Sequence, residues 1–266
     1  MHETTYHRAS SISDAAAFFA NGSEPKYLAG GMTLIATMKQ RLAAPSDLID
    51  LRHIAELKGI SVNGRRVRIG AGTTHFEVMN SSALRGVCPA ITTLAGLIGD
   101  PHVRHMGTIG GSVANNDPAA DYPSAVLALK ANVVTNRRTI GADDFFLGLF
   151  ETALEPDEII TAFEFDAPAK AGYAKFSNPA SRFAMTGVFV AKFDDGSVRV
   201  AVTGAGANGV FRHAGMELAL AANWSPEAVA SQHVDPSEML SDIHASSEYR
   251  ANLVKVMAKR AVQAAG

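Results

Sequence analysis

The stretches "YLAGGMTLIATMKQRL" (residues 27–42) and "HMGTIGGSVANNDPAADYP" (residues 105–123) decide how this chain is read. Each sets two adjacent glycines near a threonine, between an apolar run and a segment with helical spacing. Neither carries the lysine of a P-loop or the spacing of a Rossmann fingerprint. Consecutive glycines allow positive φ and remove the Cβ atoms that keep a ligand away from the main chain. Successive N–H groups can then converge on an anion, and a helix starting there adds its own free N–H groups. Ala29-Gly30-Gly31-Met32-Thr33 and Thr108-Ile109-Gly110-Gly111-Ser112 both meet this description. Two such loops can grip one extended pyrophosphate from both sides. Taken singly, each Gly-Gly is read more economically as a tight turn; the pair together moves the balance part of the way toward a ligand.

Outward from these loops, "SISDAAAFFANG" reads as a serine-capped helix stopped at Gly22, followed by the strand "KYLA", the helix "TLIATMKQR" and the strand "DLIDL". Residues 12–51 thus form a compact α/β unit. "ELKGISVNGRRVRIGAG" alternates around Asn63-Gly64, a hairpin signal. Thr74 and Glu77 make a capping box. An apolar helix runs through "AITTLAGLIG" to Asp100-Pro101, and "YPSAVLALK" reads as another. "NVVTNRRTIGA" and "DEIITAFEF" read as strands. From Tyr173 the pattern turns to long strands, "YAKFS", "RFAMTGVFVAKF" and "VRVAVTGAG", and then to helices ending in "YRANLVKVMAKRAVQAA".

At 266 residues, 47% apolar and 19% charged, the chain has the composition of a globular protein that can bury a sizeable core. A formal charge of −2 gives no footprint for nucleic acid or an anionic membrane. No run approaches a membrane span, and the early Glu3 and short "AAAFFA" do not make a signal peptide, so the expected location is the cytoplasm. The single Cys88 rules out an internal disulfide and cannot alone hold an iron–sulfur cluster or a structural zinc. Gly204, Gly206 and Gly209 have G-x-G-x-x-G spacing, but helices follow where a parallel strand should return, so they read as a turn. His102 and His105 read as a loop or surface pair rather than metal ligands. Ser181 lacks a nucleophile-elbow pattern.

Five segments, "AGGMTLIATMKQRLAAPSDLIDL", "IGAGTTHFEV", "GTIGGSVANNDPAADYPSAVLAL", "LEPDEIIT" and "KFSNPASRFAMTGVFVA", occur in that order. Together they resemble the FAD-binding medium subunit of the molybdenum hydroxylases, the carbon monoxide dehydrogenase type especially; xanthine dehydrogenase carries the same module. The resemblance implies an α+β fold: a two-part FAD-binding domain of the vanillyl-alcohol oxidase/PCMH type over residues 1–170, divided near 56/57, and a C-terminal domain of antiparallel sheet plus helices over 171–266. It makes the two glycine loops, Ala29 to Thr33 and Thr108 to Ser112, the clamps on the FAD diphosphate. It sets Ile109 close to the isoalloxazine, Asp121 on a hydroxyl of the sugar or ribityl portion, and Leu154 and Lys175 on the flavin side. Met32 departs from the polar residue usual in relatives, and His102 and His105 from the commoner Gln and Asn.

The implied function is electron relay. A large molybdenum subunit oxidises substrate, a small iron–sulfur subunit carries the electrons to FAD, and the flavin passes them on, in an assembly expected to be a dimer of heterotrimers. The molybdenum cofactor and clusters then belong to partner subunits, no catalytic acid–base pair or metal site is expected in this chain, and Gly110→Val should empty the site with the fold retained. Two alternatives remain open: a free-standing flavin oxidase or reductase of the same fold, and a non-catalytic nucleotide-binding module.

Overall fold

Three sheets in succession organise the chain in the computed structural model, which describes residues 1–265. The first has strand Asp47–Asp50 at its centre, paired in parallel with Thr5–Arg8 on one side and Pro25–Leu28 on the other. Parallel neighbours need crossovers, and helices Ile12–Asn21 and Leu34–Lys39 supply them. Period-2 geometry then sends Ile49 into an apolar cluster with Ala15 and Leu48 into another with Met38. The helix–strand–helix–strand reading of residues 12–51 holds. Strand Thr5–Arg8 was not anticipated; its sequence, Thr-Tyr-His-Arg, has no apolar alternation to mark it.

The second sheet has five antiparallel strands, with Ile160–Asp166 central between Arg66–Gly70 and Asn132–Thr135. The expected hairpin turns at Asn63-Gly64, where Gly64 has a φ of 59°. The capping box is present: Thr74 Oγ1 accepts from the Glu77 amide, and Glu77 accepts from the Thr74 amide at 2.7 Å. The third sheet is antiparallel, in the order Lys170–Ser177, Ala184–Lys192, Val198–Thr203 and Phe211–Arg212. Along its second strand Phe189 and Ala191 enter one core while Val188 and Val190 enter another. Both faces are covered, which is why the strand reads as a continuous apolar run. The long helix Ser247–Ala264 closes the outer face.

Helices packed between the second and third sheets build the larger core. Every residue of Tyr122–Ala128 is buried there. Ile109–Asn115 packs against strand Ile160–Asp166. One local reading changes and another holds. His102 and His105 lie on a short helix, Pro101–Met106, begun by the Asp100 side chain accepting from the Val103 amide at 2.9 Å. Gly204-x-Gly206-x-x-Gly209 is a turn, with Gly204 and Gly209 at positive φ, and the strand that follows returns antiparallel.

Candidate functional site

A cavity of about 1050 Å³ opens where the first unit meets the helices of the second, and the third sheet closes one end. That is about the upper size for a small-molecule or cofactor site. Ala29, Gly30, Gly31, Met32, Thr33, Thr108, Gly110, Gly111, Ser112, Asp121, Leu154 and Lys175 all line it. Ile109 does not: its side chain is buried in the main core and its amide donates to the Thr73 carbonyl at 3.1 Å.

The two glycine loops touch each other. A Cβ on Gly30 would collide with the Met106 carbonyl oxygen and sit 2.6 Å from Gly107 Cα, one residue before Thr108. A Cβ on Gly111 would lie 3.3 Å from the Cβ of Ala29. The chain can bring both loops to one place only because these positions lack side chains.

Their chemistry differs. In the first loop Gly31 has a φ of 74°, and none of the amides of Gly30, Gly31, Met32, Thr33 and Leu34 donates to a protein acceptor among the described residues. Met32 and Thr33 are exposed, and Thr33 makes no side-chain capping bond. The expectation of free donors after a positive-φ turn holds there. In the second loop neither glycine has positive φ, because both lie in the first turn of helix Ile109–Asn115. Its amides are already engaged: Gly110 donates to the Ala71 carbonyl at 2.8 Å, Gly111 to Thr108 Oγ1 at 3.1 Å and Ser112 to the Thr108 carbonyl at 3.0 Å. A Cβ on Gly110 would meet the Cβ and carbonyl oxygen of Ala71, each at 2.6 Å. Gly110 is therefore small for close packing of protein on protein, while its backbone also lines the cavity. What the second loop turns to the cavity includes the Ser112 side chain, which has no protein partner among the described residues, and the Thr108 hydroxyl, which accepts from Gly111 but donates to no protein group among them.

At the end closed by the third sheet, Asp121 accepts from the Tyr173 hydroxyl at 2.5 Å and from Lys175 Nζ at 3.0 Å. Lys175 also donates to the Leu97 carbonyl at 3.0 Å. Burial pushes the Asp121 carboxyl up, while Lys175 and Tyr173 pull it back. Each carboxylate oxygen keeps a further acceptor site.

Glu158, also in the cavity lining, accepts from Arg138, the Thr135 hydroxyl and the Glu155 amide. Hydrogen bonding to the Arg138 guanidinium is the largest cause holding its carboxyl at about 2, so it stays ionised and fixes the Leu154–Glu155 turn. The sequence reading missed His75, which lines the cavity with Nδ1 buried and unpartnered. Burial, with the charge of Arg104 adding to it, holds the imidazole down at about 4 and therefore neutral. Its place beside the capping box was the available signal.

The model of the family described as FAD binding domain in molybdopterin dehydrogenase matches residues 2–167. The carbon monoxide dehydrogenase medium chain of Hydrogenophaga pseudoflava is 34% identical, covering 98% of this chain and 96% of its own. The nicotine 6-hydroxylase medium subunit of Paenarthrobacter nicotinovorans is 35% identical over the same shares. The structure of reconstituted CO dehydrogenase from Oligotropha carboxidovorans superposes with a TM-score of 0.88 at 33% identity, covering 99% of this chain and 97% of that one. Fold and cavity together define a flavoprotein of the two-part FAD-binding type. This chain belongs to the family of FAD-binding medium subunits of molybdenum hydroxylases. The site fits FAD: five free amides and two free hydroxyls suit a diphosphate, in a cleft long enough to join two lobes. No group of three metal-ligating side chains occurs among the described residues, and no helix of the described residues is long and apolar enough to cross a membrane.

Proposed function

We propose that this chain is the FAD-containing electron-transfer subunit of a heteromeric molybdenum hydroxylase. It takes electrons from a small iron–sulfur subunit and passes them to an external acceptor, while a large molybdenum subunit carries substrate specificity. The observation that carries this is the row of unengaged amides from Gly30 to Leu34, set where two glycine loops meet at a cofactor-sized cavity. Bound there, FAD supplies the two-electron redox centre; the chain positions it and excludes water. The amides of residues 30–34 hold the diphosphate, and Thr33 and Ser112 add hydroxyls. Asp121 accepts from a hydroxyl of the sugar or ribityl portion, and Leu154 and Lys175 contact the flavin side. The division near 56/57 and 170/171 is supported by the separate sheets on either side of each boundary. The assembly is a cytoplasmic dimer of heterotrimers.

Two measurements on the isolated chain test this. Acid or heat denaturation should release free FAD, since neither glycine loop contains a histidine or cysteine for covalent attachment. Anaerobic titration with carbon monoxide, a purine, an aldehyde or an N-heterocycle should leave the flavin oxidised until the iron–sulfur and molybdenum subunits are added. Stoichiometric flavin reduction by any of them without partners would replace the relay with a free-standing oxidase.

A further inference from the structure

His75 is only 4% exposed, yet its imidazole makes no hydrogen bond among the described residues. Buried polar groups are nearly always paired, and an imidazole carries one donor and one acceptor when neutral. Nδ1 is sealed from solvent; Nε2 is the other edge of the ring, and the residue lines the cavity.

The fold reserves space for this ring. Gly107 has an ordinary φ of −64°, so its backbone does not call for glycine. A Cβ there would fall 2.6 Å from His75 Nε2 and 2.9 Å from Cδ2. The His75 amide donates to the Gly107 carbonyl at 3.0 Å, and a Cβ on Gly30 would come within 2.6 Å of Gly107 Cα. Nε2 thus lies beside the residue at which the first glycine loop meets the second.

Polar side chains of the neighbouring turns are committed elsewhere. Arg104 donates to the carbonyls of Ile98 and Gly99 at 2.9 and 3.1 Å, and Glu77 is held by Thr74. His105 stacks on Phe76, its Nδ1 paired with the Pro101 carbonyl at 2.7 Å. Tyr122 packs against the His75 ring with centroids 5.3 Å apart, and its hydroxyl is also sealed and unpartnered. Given to Nδ1, directly or through one water, that O–H satisfies both groups. The imidazole proton is then left on Nε2.

We propose that His75 is a cofactor-binding residue whose Nε2–H donates to an oxygen of the FAD diphosphate where the two loops meet, an inference that rests on the FAD reading of the cavity. The first lobe offers the amides of residues 30–34. In the second lobe the amides of residues 110–112 are engaged, and His75 supplies a donor from that side.

The test compares the full chain as wild type, His75→Leu and His75→Gln. Leucine removes the donor and an unsatisfied polar group together, so the FAD-free melting temperature should hold or rise. Its FAD affinity should fall by about 10-fold or more, as for a hydrogen bond to a charged group. Glutamine, which can present an N–H near the position of Nε2, should stay within about threefold of wild type. At saturating FAD the phosphorus resonances of the cofactor should differ between wild type and His75→Leu, with the flavin absorption spectrum unchanged. If the leucine variant does not fold, ¹⁵N-histidine spectra of the wild type carry the test, with His75 assigned by its absence in His75→Gln. They should show the proton on Nε2 and a shift of that N–H when FAD is added. Wild-type FAD affinity in His75→Leu overturns the proposal, as does a ring proton on Nδ1. Equal loss of affinity and melting temperature in both variants would make the imidazole a packing group. A changed flavin spectrum with unmoved phosphorus resonances would place the contact on the flavin and overturn it too. A wild-type chain that binds no FAD would refute the FAD reading itself, and this contact with it.

Discussion

The loops at 29–33 and 108–112 look alike in sequence and do different physical work. In the first, one glycine lets two lobes approach while the other takes positive φ and leaves five amides without protein acceptors. In the second, the glycines sit in a helical turn, the amides are engaged, and the absence of a Cβ on Gly110 lets the helix lie against Ala71. A Gly-Gly pair therefore announces only that a side chain is not tolerated. Whether a ligand or another part of the chain occupies the space depends on where the neighbouring N–H groups are already directed.

The largest effect that can break this comparison is at Gly110. Valine there must displace Ala71, whose backbone leaves little room to yield. Overpacking of this kind costs about 3 kcal/mol, and at roughly 2–4 °C per kcal/mol for a chain of this size the melting temperature should fall by about 6–12 °C. Thermal unfolding of the FAD-free protein measures it. A Gly110→Val chain that melts like wild type yet binds no FAD would restore the ligand-facing role for this glycine.

At Gly31 the order of effects should reverse. An alanine Cβ meets only the side chains of Ile35 and Leu28, each at 3.1 Å, but the φ of 74° becomes strained. The backbone penalty is about 1–2 kcal/mol, relieved by turning the loop and misaligning its amides. Gly31→Ala should therefore weaken FAD binding by at least about 10-fold, roughly 1.4 kcal/mol, with a smaller loss of melting temperature than Gly110→Val. Fluorescence titration of the FAD-free chain reads the affinity. The smallest change is at Met32, an exposed side chain on the cavity edge. Met32→Ser offers one added hydrogen bond, about 0.5–1.5 kcal/mol, and so a roughly 2- to 10-fold slower release of FAD. Faster release would show that the methionine itself packs on the cofactor.

The α/β unit, the hairpin at Asn63-Gly64, the capping box and the apolar strand through Phe189 were all legible, because each rests on local periodicity or a turn residue. The α+β class and the FAD-binding architecture were legible from the ordered motifs together. Strand Thr5–Arg8 was not, since pairing with Asp47–Asp50, rather than its own residues, makes it a strand. The reason for Gly110 was hidden for a related cause: Ala71 lies far from it in sequence and reaches it only through the packing of the helix. His75 gave no sign beyond its capping box, because its burial depends on Gly107 and Tyr122. Residues whose role is set by distant partners are those that sequence reading assigns to the wrong neighbour.

Amide hydrogen exchange, compared between the FAD-free and FAD-loaded chain, tests the central claim most directly. Residues 30–34 should exchange rapidly without cofactor and become strongly protected when FAD is bound, because the diphosphate supplies the acceptors they lack. Residues 109–112 should be protected in both states, because their acceptors are Thr73, Ala71 and Thr108. Protection gained at 109–112 with none at 30–34 would contradict the account and make the second loop the cradle.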